Sequence, residues 1–179
     1  MNENALGVIL AAGDVVRCHT MPCLNRPTVG LHTWRTLVLL HWLYAPTQPP
    51  TAMTYTLLMH DVPELRTGDL PGDIKADDPR IGDLFEGIED KIYSDLGIDM
   101  PALFDEEKMV VKFCDRADLA MYALEEYDMG NQSPRMLSML ARAIVFTRDA
   151  AAHLMKDGFP HVDRVISLLG MLDDRAPKW

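Results

Sequence analysis

Residues 57–69 of this chain read LLMHDVPELRTGD, and the rest of the sequence is best interpreted outward from this stretch. His60 and Asp61 stand side by side at the end of an apolar helical run, and Glu64 follows four residues after the histidine. A Thr-Gly turn signal then brings in Asp69. An apolar helix that ends in so many acidic groups is most easily explained by a cation nearby.

The composition is that of a folded and acidic protein. The chain has 179 residues, 48% of them hydrophobic, and a formal net charge of -10. This length suits a single domain over residues 1–179 that buries its own core. The negative charge disfavours nucleic-acid polymers and membrane surfaces as partners, because both are themselves anionic. A small phosphorylated molecule is still a possible partner if basic residues gather at one place on the surface.

The cysteines and the N-terminus predict a cytoplasmic location. Cys18, Cys23 and Cys114 show no C-x-x-C spacing and leave an odd thiol, which favours a reducing compartment. The N-terminal residues lack the basic segment of a signal peptide. The longest apolar run, 37–45, is too short to span a bilayer. We therefore expect a soluble cytoplasmic protein.

Apolar residues recur at helical spacing along the chain, and no segment shows the sustained alternation of a strand. We predict an all-α fold, a single compact bundle of about six to eight helices. Asn4, Thr28 and Thr51 are predicted N-caps, and Pro63 is predicted to break or kink the third helix. The predicted helices cover residues 5–12, 29–44, 51–61 (to 65 if the proline is tolerated), 81–96, 106–128, 134–156 and 161–173. Residues 14–27 and 68–80 are predicted loops, and the tail 174–179 is predicted to be loose.

Four side chains on three predicted helices form a candidate metal site. His32 lies one turn into the second helix, His60 and Asp61 end the third, and Asp115 lies in the long helix. A bare carboxylate in the apolar stretch around Asp115 would be costly, and a bound cation would remove that cost. Helical bundles bring such groups to one point. Imidazole and carboxylate together suit Mn, Co, Fe or Zn, with Mg possible at a second, phosphate-bridged site.

The alternative needs no metal. In it, His32 is a partly buried core histidine, and Asp115 is a surface group paired with Arg116 or Lys112. A structural all-α interaction module would have this arrangement.

Three phrases of the sequence carry a family resemblance. They are TVGLHTW at 28–34, HDVPELRTGDLP at 60–71 and VKFCD at 111–115. They resemble T-V-x-E-H-S-x, H-D-x-x-E-x-x-T-G-D-x-P and V-K-x-x-D of the small branch of HD-domain phosphohydrolases that contains bacterial 5′-deoxynucleotidases and phage dATP triphosphohydrolases. The resemblance spans about residues 13–126, while the C-terminal helices at about 134–173 align only as helices.

The resemblance implies roles for the residues of these phrases. The metal ligands would be His32, His60, Asp61 and Asp115. Glu64 and Asp69 would be catalytic, one protonating the leaving oxygen or orienting water and the other taking the second proton role. Without the resemblance, Glu64 would be an exposed helix-end acid and Asp69 a turn residue bonded to Gly72 or its neighbours.

The resemblance also implies substrate contacts. Arg17 matches a family arginine that contacts phosphate, and Lys75 matches the lysine after the T-G-D-x-P phrase; either could instead be a solvated surface charge. Lys112 is a candidate phosphate contact or a simple ion pair, and His19 a candidate for the pocket mouth.

Two positions depart from the family pattern. Leu31 stands where the family usually has glutamate, and Cys18 stands where relatives often have a tryptophan that stacks on base and sugar. Both changes spare the metal ligands but alter the predicted pocket wall, so base and sugar selectivity stay open.

The function that the resemblance implies is metal-dependent deoxynucleotide hydrolysis. The spacing, 28 residues from His32 to His60 and 54 from Asp61 to Asp115, resembles the compact phage enzymes, whereas the bacterial nucleotidases carry longer insertions. The resemblance therefore favours a dNTP triphosphohydrolase of the dATP type that releases deoxynucleoside and triphosphate. The alternatives are a 5′-deoxynucleotidase acting on dNMP and a nucleotide-binding protein without catalysis. The resemblance further implies a homo-oligomer, located in the host cytoplasm if the chain is phage-encoded.

Overall fold

The computed structural model describes residues 3–69 and 78–178. Within these ranges the chain forms helices and no β-strand, apart from one isolated bridge between Val16 and Thr28. The all-α prediction is confirmed. The helices are α1 Glu3–Ala12, α2 Val29–Tyr44, α3 Thr51–Met59, α4 Glu64–Thr67, α5 Pro79–Leu96, α6 Asp105–Asp128, α7 Pro134–Lys156 and α8 Val162–Arg175.

Most helix boundaries fall where local signals predicted them. Thr28 caps α2, since its hydroxyl oxygen accepts a hydrogen bond from the Leu31 N–H at 3.3 Å. Two caps were predicted wrongly. Helix α1 already begins at Glu3, so Asn4 is not its cap. Pro50 is the N-cap of α3, because its carbonyl accepts the Met53 N–H, and the predicted cap is the first helical residue.

The last helix is longer than predicted. Helix α8 extends to Arg175, so the first residues of the predicted loose tail are helical. Arg175 also donates to Asp128 at the end of α6 at 2.6 Å, which fastens the end of α8 to the bundle.

Helix α6 is the central element of the bundle and packs against α2, α3, α7 and α8. Its Val110, Phe113 and Ala117 are fully buried and meet Leu57 of α3 and Leu154 of α7 in one apolar cluster. Burying a leucine or phenylalanine side chain stabilises the fold by about 1.5–3 kcal/mol each. Among the described residues, no helix combines the length and the apolar character needed to cross a membrane.

The chain breaks between α3 and α4, as the proline predicted. His60 ends α3, and its N–H still donates to the Thr56 carbonyl at 2.9 Å. Tyr93 of α5 donates its hydroxyl to the His60 carbonyl at 2.7 Å, which occupies an acceptor that the helix leaves free. The single turn α4 then ends at Gly68, whose φ of 71° lies in the left-handed region that glycine adopts without strain.

The loop before α2 is tied closely to the helix start. The Gly30 N–H donates to the Gly13 carbonyl at 2.9 Å, and a Cβ at Gly30 would lie only 3.0 Å from that oxygen. The Arg17 N–H donates to the Pro27 carbonyl at 2.9 Å, which closes the loop on itself. A larger residue at Gly30 would therefore push the loop away from α2.

A buried carboxylate anchors the same loop to α6. Glu126 is 0% exposed and accepts the N–H groups of Leu24 and Asn25, each at 2.7 Å. It also accepts a hydrogen bond from the Asn131 side chain at 2.6 Å, and that amide donates to the Pro22 carbonyl as well. These bonds offset the cost of burying a charged group and fix the loop's path.

We expect Glu126→Ala to destabilise the protein by about 3 kcal/mol, because the buried carboxylate that accepts from Leu24, Asn25 and Asn131 is removed and a cavity is left in its place. Urea unfolding followed by circular dichroism measures the change. Glu106→Ala, an exposed position on the same helix, is the matched control and should shift stability by less than about 0.5 kcal/mol. Equal unfolding midpoints for the two variants would contradict the anchoring role.

Candidate active site

Four side chains from separate parts of the fold meet beside α2. His32 Nε2 lies 3.3 Å from His60 Nε2, 3.1 Å from Asp115 Oδ1 and 3.6 Å from Asp61 Oδ2. His60 Nε2 lies 3.2 Å from Asp61 Oδ1. The potential ligand atoms of His32, His60 and Asp61 are all within 4.8 Å of one another, and Asp115 joins them through His32. The structure thus brings together the four residues singled out in the sequence.

Both histidine rings are oriented by a partner on their other nitrogen. His60 Nδ1 lies 2.9 Å from the Leu57 carbonyl, which can only accept, so Nδ1 carries the hydrogen. His32 Nδ1 lies 2.7 Å from Asp118 Oδ2. Metal-binding histidines usually have such a partner, because it leaves the lone pair of Nε2 directed at the metal.

The four residues fit a divalent cation. Two imidazole nitrogens that both present lone pairs at 3.3 Å repel each other unless a proton or a cation lies between them. Asp61 Oδ2 is buried and forms no hydrogen bond, although Arg17 Nη1 lies 3.2 Å away as an ion pair. Two nitrogens with two carboxylate groups form a ligand set that zinc and related metals accept.

Proton affinities in the site follow from this crowding. Burial away from water lowers the pKa of His32, but the hydrogen bonds to Asp115 and Asp118 outweigh that effect and raise the pKa to about 9. Burial raises the pKa of Asp115, because it disfavours the charged carboxylate. The hydrogen bond with His32 outweighs this effect and holds the pKa well below its usual range. A cation would have to displace the shared proton, so its binding should weaken in acid.

Glu64 begins α4 and is half-buried at the edge of the cluster, so it is not the exposed helix-end acid of the alternative interpretation. Its Oε2 is buried and forms no hydrogen bond. Burial, followed by repulsion from Asp61 and Asp69, raises the pKa of Glu64 to about 8 against the opposing effect of Arg17. At neutral pH its carboxyl group therefore holds a proton.

Asp69 reaches the loop before α2 and does not touch the imidazoles. Its Oδ2 accepts the Cys18 N–H at 2.6 Å and lies 3.9 Å from His19 Nδ1, while its Oδ1 lies 4.0 Å from Arg17 Nε. Cys18 has a φ of 54°, an unusual value for a residue other than glycine, which turns its N–H toward the carboxylate. Asp69 thus pairs with this loop, while Gly72, its partner in the alternative interpretation, lies outside the described residues.

Arg17 lies between the carboxylates of the site. Burial lowers its pKa, but Asp61, Asp115, Glu64 and Asp69 together raise it above its usual value. The guanidinium is therefore permanently charged, and it is the cation that offsets part of the acidic cluster.

A small cleft, open to solvent, adjoins the cluster through Arg17 and His32. Cys18 and Leu31, the two departures from the family pattern, both line it, which places both at the pocket wall. The other lining residues are Pro27, Arg35, Asp118, Leu119 and Tyr122. The wall is largely apolar, as expected for the part of a site that holds a base or sugar.

Some predicted residues are not brought into the cluster. Lys112 is exposed on α6, and His19, whose side chain is 47% exposed, lies at the rim. Lys75 lies outside the described residues. Arg116 does not pair with Asp115: it donates to the Phe146 carbonyl and lies over that ring.

Sequence reasoning missed Asp118, Arg35 and Glu125. Asp118 follows Asp115 by three residues, and Arg35 follows His32 by three, so each shares a helix face with a residue that was identified. This three-residue spacing could have indicated in the sequence that Asp118 and Arg35 lie near the site. Arg35 Nε contacts Asp118 Oδ1, and its two terminal nitrogens lie 2.8 and 3.0 Å from the Glu125 carboxylate.

The chain resembles known proteins over most of its length. The family model described as 5′-deoxynucleotidase YfbR-like matches residues 8–144. A dATP triphosphohydrolase of Cyanophage S-2L is 30% identical over 117 residues, which are 63% of this chain and 66% of that protein. The chain thus spans just under two thirds of the length of this curated relative.

Two solved structures share the fold. The Cyanophage S-2L HD phosphohydrolase DatZ, bound to dA and one catalytic Zn²⁺ ion, has a TM-score of 0.64 at 22% identity and covers 97% of this chain and 96% of its own. The HD-domain phosphohydrolase lin2634 of Listeria innocua has a TM-score of 0.64 at 16% identity, covering 97% and 98%. The HD-domain helical fold that the resemblance implied is confirmed.

We expect the stability of the metal-free protein to fall as pH rises from 4.5 to about 8, partly because of Glu64. In this window the folded state keeps the proton and the unfolded state has lost it, so raising the pH favours unfolding. Glu64→Gln lacks this titration and should gain stability relative to the wild type between about pH 5 and pH 8. The raised pKa of His32 also makes stability fall as the pH rises, but it does so equally in the wild type and in Glu64→Gln.

Urea unfolding with a chelator present, at several pH values, measures the difference between the two proteins. Glu86→Gln, at an exposed position on α5, is the control and should track the wild type at every pH. A Glu64→Gln difference that does not vary with pH would rule out a raised Glu64 pKa.

Proposed function

The chain belongs to the 5′-deoxynucleotidase YfbR-like family, and we propose that it is a metal-dependent deoxynucleotide phosphohydrolase. The observation that carries the proposal is the meeting of two imidazoles and two carboxylates beside a cleft, with the half-buried carboxyl group of Glu64 at the edge. Within this class we favour a dNTP triphosphohydrolase of the dATP type. The dATP triphosphohydrolase of Cyanophage S-2L, similar in sequence, and the compact motif spacing support that choice.

We propose that His32, His60, Asp61 and Asp115 hold one divalent cation. Zinc is the first candidate, since the DatZ structure carries one catalytic Zn²⁺, while Mn, Co and Fe also suit the ligands and Mg²⁺ stays a prediction for a second site. When bound, such an ion would polarise a phosphoryl oxygen and lower the pKa of a water molecule toward about 7.

Glu64 is proposed as the acid that protonates the leaving oxygen. A carboxyl group with a pKa of about 8 is neutral at pH 7, and its unpaired buried Oε2 is free to exchange a hydrogen bond with substrate. Asp69 is proposed for the second proton role. Its bond to the Cys18 N–H holds the carboxylate at the cleft edge, beside Arg17.

Arg17 is proposed to bind a phosphate oxygen of the substrate. A polyphosphate approaching a chain of net charge -10 needs a local cation, and Arg17 supplies one beside Asp61 at the cleft. Lys75, Lys112 and His19 stay candidates for further contacts. Cys18 and Leu31 are proposed to shape the apolar wall that holds the deoxynucleoside.

Product analysis separates the lead from its alternatives. With dATP and Zn²⁺, Co²⁺ or Mn²⁺ we expect deoxyadenosine and free triphosphate, resolved by ion-exchange chromatography, and no product after EDTA treatment. Orthophosphate from dAMP with no triphosphate from dATP would instead establish the 5′-deoxynucleotidase. Nucleotide binding without hydrolysis, whichever metal is added, would identify a non-catalytic nucleotide-binding protein. Purified protein that binds no metal would favour the structural all-α interaction module.

We expect Glu64→Gln to lower kcat by roughly 10²–10⁴-fold, the usual contribution of a general acid, while nucleotide binding persists. Single-turnover rates and equilibrium binding of dATP measure the two effects. The control is Glu86→Gln, which should keep wild-type rates. Unchanged turnover in Glu64→Gln would remove Glu64 from the catalytic machinery.

A further inference from the structure

Behind His32, a line of charged groups continues away from the cluster. Asp118 Oδ2 lies 2.7 Å from His32 Nδ1, and Asp118 Oδ1 contacts Arg35 Nε. Arg35 then pairs with both oxygens of Glu125 at 2.8 and 3.0 Å. Asp118 is only 4% exposed and His32 3%, so this inner part of the line is shielded from water.

The direction of each hydrogen bond is fixed by chemistry. A guanidinium has only donors, so Asp118 must accept from Arg35, and Glu125 must accept on both oxygens. The second Asp118 oxygen then accepts the hydrogen of His32 Nδ1. Once a cation displaces the proton shared with Asp115, that assignment leaves His32 Nε2 with a lone pair toward His60 and Asp115.

The same line connects the two helices that carry ligands. His32 and Arg35 lie on α2, whereas Asp118 and Glu125 lie on α6 together with Asp115. A shift of α6 relative to α2 would break these bonds and also change the distance between His32 and Asp115. The line therefore fixes both the orientation of the ring and the spacing between helices.

We propose that Asp118 and Arg35 are positioning residues that set the metal affinity of the site by orienting His32. The inference rests on the metal centre proposed above. Asp118 acts on the His32 ring directly, and Arg35 acts by holding Asp118 in place. Partners of this kind typically change metal affinity by about 10–100-fold.

Asp118→Asn tests the role with little change in shape. An asparagine oxygen can accept from His32, but its amide would then face Arg35 with a donor against a donor. We expect the zinc dissociation constant, measured by chelator competition, to rise about 10–100-fold, with an altered visible spectrum of the Co²⁺ form. Arg35→Met leaves the His32–Asp118 bond possible and should weaken zinc less, and Arg35→Lys, which keeps the charge, should recover part of the loss.

Asp173→Asn is the matched control, because it breaks an exposed aspartate–arginine pair with Arg148 far from the cleft. Its zinc affinity should equal that of the wild type. A purely structural role predicts lower unfolding midpoints with unchanged zinc affinity in the folded variants. Folded Asp118→Asn that binds zinc within about twofold of the wild type would overturn the inference.

Two further outcomes are informative. If Asp118→Asn does not fold, the zinc affinities of the two Arg35 variants test the proposal instead. A folded Arg35→Met with the zinc affinity of the wild type would overturn the positioning role of Arg35 and Asp118. If the wild type itself binds no zinc or cobalt, the metal centre is refuted before the positioning role is reached. Failure of the proposed function is therefore distinguishable from failure of this inference.

Discussion

The repulsion among like groups around His32 is the constraint on which the site depends. Two imidazole nitrogens approach to 3.3 Å, and the carboxylates of Asp61 and Asp115 close around them. A fold that holds such groups together must overcome their desolvation and mutual repulsion. The apolar cluster around α6 supplies the stability that makes this possible, since it fixes α2, α3 and α6 whether or not the acidic groups are balanced.

The negative charge of these carboxylates is offset in three ways. Arg17 contributes a permanent positive charge beside Asp61, His32 shares a proton with Asp115, and Glu64 stays protonated. A divalent cation at the cluster would replace the shared proton and attract the carboxylates more strongly. The protonated Glu64 is then a consequence of the same crowding, since its neighbours raise its pKa into the range where a proton can be given up near neutrality.

The loop before α2 connects the metal cluster to the cleft. Glu126 fixes the loop at one end, and Asp69 fixes it at Cys18. Arg17 directly precedes the Cys18 anchor, and its own N–H donates to the Pro27 carbonyl, so it is held facing the carboxylates although it belongs to no helix. Two anchors on one loop give the charged Arg17 side chain a defined position although no helix carries it.

The sequence by itself determined most of the helices and which four side chains meet at the site. Proline, glycine and capping residues act over a few residues, so the break at Pro63 and the start of α2 at Thr28 could be predicted from neighbours alone. The motif phrases singled out His32, His60, Asp61 and Asp115 through their resemblance to a family pattern, and the structure brings these four side chains together.

Only the tertiary structure decided how those groups are held. The bonds from Glu126 to residues 24–25 and from Asp69 to Cys18 join positions 102, 101 and 51 residues apart, and the Arg35–Asp118 contact joins positions 83 apart. No local preference encodes such pairings. The raised pKa of Glu64 is likewise a property of its surroundings, because burial and nearby charges exist only after the helices have packed.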